Sequence, residues 1–121
     1  MMITLDEILK GQSYPLEYHE NLMDLLKKIN LVRDRYGKPM IVTSGYRSRA
    51  HELKMGRSGQ SDHCKCKAID IYDPKKELAK WVHENQEFIA SIPLWIEHTD
   101  YTSNWVHFTT TEKSRLFFIP R

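Results

Sequence analysis

The chain has 121 residues, 40% hydrophobic and 28% charged, with a formal net charge of +2, which is the size and balance of one globular domain spanning 1–121. So mild a charge, with no clustered basic face, argues against nucleic acid as a partner, and no apolar run is long enough to give a transmembrane segment. The start, Met1-Met2-Ile3-Thr4-Leu5-Asp6-Glu7, has neither a basic n-region nor an apolar core, so no secretory signal peptide is read there and a cytoplasmic protein is expected.

In chain order, Thr4-Leu5-Asp6-Glu7 is a capping-box pattern opening a short helix that stops near Gly11. A longer helix follows from about Glu17 to Tyr36, with Leu22, Leu25, Leu26, Ile29, Val32 and Tyr36 on one stripe. Gly37 stops it and Pro39 prevents its resumption. Met40–Thr43 reads as a short buried strand that ends in the turn Ser44-Gly45-Tyr46-Arg47-Ser48. Residues 49–60 are polar, contain Gly56 and Gly59, and read as a loop with a helical turn near His51 to Met55.

Lys67 to Tyr72 alternates as a second strand, with Ala68, Asp70 and Tyr72 on one face and Ile69 and Ile71 on the other. Asp73 as N-cap and Pro74 at the first helical position start a helix whose apolar face is Leu78, Trp81, Val82, Phe88 and Ile89. Leu94 to His98 and Trp105 to Thr110 are further strands around the loop 99–104, and Arg115 to Ile119 reads as an edge strand completing a meander. The order predicts an α+β fold of helices packed on a mostly antiparallel sheet. Cys64 and Cys66, one residue apart, are too close for an unstrained disulfide and read as free thiols.

Three residues stand out on this frame. His63 lies seven positions before Asp70, and His107 sits in Trp105-Val106-His107-Phe108. Two imidazoles and one carboxylate are a common catalytic zinc set, with a fourth position left for water. If the last two long strands pair as a hairpin, Glu97 lies across from His107, about 5 Å away at Cβ, where a general base for metal-assisted hydrolysis is needed. Arg47, at the end of a strand, offers a fork of donors to a substrate carboxylate or carbonyl. On their own these residues argue for metal-assisted amide hydrolysis. His19, His51, His83 and His98 read as ordinary surface or core residues.

Several short patterns recur together: Asn21-Leu22 with Leu25-Leu26, Gly37-Lys38-Pro39, Val42 through Ser48, Ser61-x-His63, Ala68-x-Asp70, Leu94-Trp95-x-Glu97 and Trp105-Val106-His107-Phe108. In this the chain resembles the zinc D-alanyl-D-alanine carboxypeptidases and L-alanyl-D-glutamate endopeptidases, a group sharing its fold with the Hedgehog signalling domain, and small phage-encoded members in particular. The resemblance implies a Hedgehog/D,D-peptidase-like fold and a Zn2+ cofactor held by His63, Asp70 and His107. It implies substrate contacts from Arg47 and Ser61, and Glu97 as the catalytic base. The implied substrate is a peptidoglycan stem or cross-link peptide, cut by a monomeric carboxypeptidase or endolysin-type endopeptidase. Such an enzyme would wait in the cytoplasm of the host cell or in a phage particle and act on the cell wall after release.

Two departures keep alternatives open. Many relatives carry the acidic residue three positions before the last histidine, which here is Asn104; Glu97 fits those that carry it on the preceding strand, and Asp100 is the remaining candidate. The relatives' glycine in the first motif is Cys66 here, which is expected to strain the turn into the site and bring a thiol near the metal. Cys64 and Cys66 as soft zinc ligands in place of the carboxylate form a cramped pair. The alternative readings are a catalytically silent zinc-binding module, used on the cell wall or as a structural phage-particle component, and a plain α+β interaction domain.

Overall fold

A computed structural model describes residues 2–120. Its strands are β1 (Val42–Ser44), β2 (Ala68–Tyr72), β3 (Trp95–Glu97), β4 (Trp105–Thr109) and β5 (Phe117–Phe118). They form one sheet in the order β1-β2-β4-β3-β5, antiparallel throughout except where β5 runs parallel to β3. With its helices, this is the expected α+β fold. The expected meander is corrected at its last step. After β4 the chain emerges beside the start of β3, so a short connection brings it up on the free side of β3 in the same direction.

Alternation separates the two faces of the sheet. Ile69 and Ile71 of β2, Ile96 of β3, and Val106 and Phe108 of β4 are buried on one face and join the core with Leu22, Leu25, Ile29 and Val32. Asp70, Glu97 and His107 belong to the opposite parity, so the same strands that close the core present these three away from it.

The helices are α1 (Leu5–Leu9), α2 (His19–Tyr36), α3 (Arg49–Lys54), α4 (Glu77–Glu84) and α5 (Gln86–Ser91). The capping box of Thr4 and Glu7 forms at α1, and Gly37 closes α2 in the left-handed region at φ 75°. Residues 49–60, read as a loop with one helical turn, contain α3, whose N-cap Ser48 accepts a hydrogen bond from the His51 backbone N–H. The single helix expected after Asp73 is instead two. Lys76 takes a left-handed φ of 61°, so helix begins only at Glu77. Asp73 still caps it from a distance, its two oxygens accepting from the Leu78 and Ala79 backbone at 3.0 and 2.8 Å. Asn85 then breaks the run, its side chain donating to the Trp81 carbonyl at 2.8 Å.

Candidate metal centre and active-site cleft

Register assembles the centre. Asp70 of β2 is paired with His107 of β4; the β3–β4 pairs are Trp95 with Thr109 and Ile96 with Phe108, and the next step of that register brings Glu97 to the other side of His107, both lining one cleft. His107 therefore stands between two carboxylates on one face of the sheet. His63 arrives from elsewhere, on a 3-10 turn, Asp62–Lys65, that precedes β2. The two imidazole rings lie 5.1 Å apart, nearly edge to face. One donor atom each from His63, Asp70 and His107 can be chosen so that all lie within 4.8 Å of one another.

Hydrogen bonds orient these donors. His63 Nδ1 is 2.7 Å from the Gly45 carbonyl. A carbonyl only accepts, so Nδ1 carries a proton and Nε2 is the nitrogen turned toward Asp70. Nε2 lies 3.4 Å from Asp70 Oδ2, while His107 Nδ1 lies 2.7 Å from Asp70 Oδ1. Burial works to raise the Asp70 pKa, but the hydrogen bonds and charges of the two histidines outweigh it and hold the carboxyl far below the usual range. A metal ligand has to be deprotonated, and Asp70 meets that condition at any ordinary pH. Two nitrogens and one carboxylate oxygen, converging on a cleft, fit zinc with one coordination position left open.

The cleft has a volume of about 370 Å³, and its walls include Arg47, Arg57, Ser61, Glu97, Trp105 and Phe118. Burial pushes the Glu97 carboxyl above the ordinary glutamate value; His107 and His63 pull it down, Asp70 pushes it further up, and the net shift is upward. Asp100 is elsewhere, itself exposed on a 3-10 turn with its carboxylate 3.7 Å from His98. Asn104 uses its carbonyl to accept from the Asp73 backbone N–H. Neither lines the cleft.

Arg47 and Ser61 both reach the cleft, and both are tied to Glu52, which the sequence reading passed over. Ser61 Oγ donates to Glu52 Oε2 at 2.6 Å, and Arg47 Nε lies 3.3 Å from the same oxygen. Burial works to raise the Glu52 pKa, but the hydrogen bond from Ser61 and the charge of Arg47 help bring it below the ordinary value. Asp62 is another residue not singled out. It accepts from the hydroxyls of Thr109 and Thr111, both at 2.9 Å, and pairs with Lys113 at 3.3 Å. Lys113 in turn lies over the Phe118 ring. Only pairing across the fold reveals these two; an acidic residue in a polar stretch carries no local mark of burial.

The cysteines are free and buried, and neither belongs to the three-donor group. Cys66 occupies the left-handed region at φ 59° and is fully buried. The other four histidines stay apart from the centre. His19 meets the Tyr14 hydroxyl, His83 stacks on Phe117, His98 faces Asp100, and His51 is exposed on α3.

Comparison with known proteins bears on this arrangement. The family model described as Peptidase M15 matches residues 2–108, a stretch that includes all three donors, Glu97 and Arg47. No curated protein and no solved structure matches the chain.

Proposed function

The chain belongs to the Peptidase M15 family, whose members are zinc metallopeptidases, and on that premise we propose that it is a cell-wall peptidase acting on peptidoglycan stem or cross-link peptides. We read residues 1–121 as one catalytic domain working as a monomer, of the small phage type, in the manner of an endolysin or a D-Ala-D-Ala carboxypeptidase. In this reading it acts on the wall after release from the producing cell or from a particle.

The observation that carries the reading is the placement of His107 between Asp70 and Glu97 on one sheet face, with His63 closing the third corner. His63, Asp70 and His107 would hold zinc. When bound there, zinc supplies a Lewis acid that acidifies water and polarises the scissile carbonyl. Glu97, in the wall of the same cleft, takes a proton from the attacking water and returns it to the leaving amine. Arg47 presents donors to a carboxylate or carbonyl of the peptide, and Ser61 lines the approach.

Cys66 at the motif glycine and Asn104 in place of an acid are the grounds for the alternative, a catalytically silent zinc module. What supports activity instead is that Cys66 itself adopts the left-handed conformation a glycine would take, and the donors still converge. The test is turnover of defined muropeptides by zinc-loaded protein, with products read by mass spectrometry. Glu97→Gln should keep zinc and fold but lose about 10²- to 10⁴-fold in rate. Folded, zinc-loaded wild type that cleaves none of these peptides would leave the silent module as the better account.

A further inference from the structure

We propose that Glu52 is a positioning residue of the cleft, one that holds Arg47 and Ser61 so that the Arg47 guanidinium faces the carboxylate or carbonyl of a peptide substrate. The proposal rests on the peptidase reading above and adds to it a residue acting from behind the cleft wall.

Three separate segments meet at this carboxylate. Arg47 belongs to the turn after β1, Glu52 to α3, and Ser61 to the segment leading into His63. The cap at Ser48 starts α3 directly after Arg47, so Glu52, one turn into the helix, comes back against the turn. Glu52 is 1% exposed, and a glutamate is almost never buried so fully unless it is paired. Its pairing is incomplete: Oε2 receives the Ser61 hydroxyl at 2.6 Å, but Oε1 and Arg47 Nε each lack a hydrogen-bond partner. The 3.3 Å approach of Arg47 Nε to Oε2 is an ion pair without good hydrogen-bond geometry.

A buried ion pair with loose ends is a poor stabiliser, and replacing both of its members by apolar residues of similar volume often serves folding as well or better. What the charge does achieve is orientation. A guanidinium held at its Nε edge directs its remaining donors elsewhere, and the Arg47 side chain is still 24% exposed in the wall of the cleft. Glu52 also balances the positive charge of Arg47, which keeps that side chain in place before substrate arrives. Ser61, bound to the same oxygen, couples this device to the His63 segment two residues on.

The test uses the full chain loaded with zinc, as wild type, Glu52→Gln and Glu52→Met, each alone and combined with Arg47→Ala. The readouts are melting temperature, zinc content, kcat and KM on a muropeptide, and the Nε–H resonance of Arg47 by nitrogen-15 NMR. Positioning predicts a folded Glu52→Gln of lower melting temperature with wild-type zinc content, a KM raised about tenfold with a smaller change in kcat, and no further effect of the Glu52 change on KM once Arg47 is alanine. It also predicts that the Arg47 Nε–H signal moves to the position of freely exposed arginines. A folded Glu52→Gln with unchanged KM, or a Glu52 effect that persists in full without Arg47, would overturn it. Glu52→Gln is close to isosteric and carries the test if Glu52→Met fails to fold. If wild type cleaves no muropeptide, the peptidase reading fails while this one is still decided by NMR: an Arg47 signal unmoved in Glu52→Gln refutes it, and a moved one sustains it.

Discussion

His107 and Asp70 face each other in register across β2 and β4, with Nδ1 2.7 Å from Oδ1. The contact is built by backbone pairing, so neither side chain has to search for the other.

Metal binding should therefore appear as stability. Zinc that binds only the folded chain adds about 4 kcal/mol when present at a thousand times its Kd. Wild type should melt higher with zinc than with a chelator, reversibly, and Asp70→Ala should lose the difference while remaining folded. Thermal melts with and without zinc read this directly, and a wild-type Tm indifferent to both would contradict the proposed ligand set.

Gly45 packs closely against the backbone of α1 beside the centre. An added Cβ would come 2.8 Å from the Ile8 Cα, which is backbone and cannot swing aside. The neighbouring Tyr46 N–H donates to the Ile8 carbonyl, and the Gly45 carbonyl orients His63. Gly45→Ala should destabilise by roughly 1–3 kcal/mol and weaken zinc binding by about tenfold or more. Urea denaturation and a zinc titration check the two effects separately.

Asp62 makes a prediction with a sign in pH. Burial works to raise its pKa, but hydrogen bonds from Thr109 and Thr111 and the charge of Lys113 leave it below the ordinary aspartate value. A carboxyl depressed by folding adds stability above its unfolded pKa, near 4, and loses it as pH falls through the folded value. Asp62→Asn should be less stable than wild type by about 1 kcal/mol at pH 7, and the gap should narrow from about pH 4 downward. Urea melts at several pH values with chelator present exclude metal loss as the cause; a gap independent of pH would count against the charge.

Cys66 poses two opposing effects of similar size. Glycine there would relieve about 1 kcal/mol of left-handed strain and give up about as much buried surface. Alanine keeps the strain and loses the sulfur. Cys66→Ala should thus be the more destabilised of the two by about 1 kcal/mol, as measured by urea denaturation. Burial also pushes the Cys66 thiol up to about 11, so a thiol reagent at pH 8 should label it only after unfolding.

The sheet was readable because its evidence is local. Alternation in Ala68–Tyr72 and Trp105–Thr109 assigns every residue to a face, and a hairpin between β3 and β4 then brings Glu97 opposite His107. The stripe of α2 was readable for the same reason. Helix α3 was not, since Arg49-Ala50-His51-Glu52-Leu53-Lys54 has no apolar stripe and its one buried residue is an acid whose partners, Arg47 and Ser61, lie outside the helix. The late start of α4 depends on a left-handed lysine, Lys76, that no sequence rule marks. The direction of β5 follows from where β4 ends, a fact of topology that its two residues do not encode. The ties of Asp62 to Thr109 and Thr111 span 47 and 49 positions and exist only once the sheet has formed.

The His63 turn has no sheet ladder, yet it is pinned on several sides. The Gly45 carbonyl holds the ring, the Arg47 N–H reaches the His63 carbonyl, Asn21 donates to the Lys65 carbonyl, and Thr109 and Thr111 hold Asp62. A segment tethered in this way has surrendered its conformational freedom to the folding of the chain. An arriving ion then has little left to organise, unlike the small zinc domains that fold only around their metal. Loss and return of zinc should be an exchange at a standing site, fast and repeatable, with the chain around it unchanged.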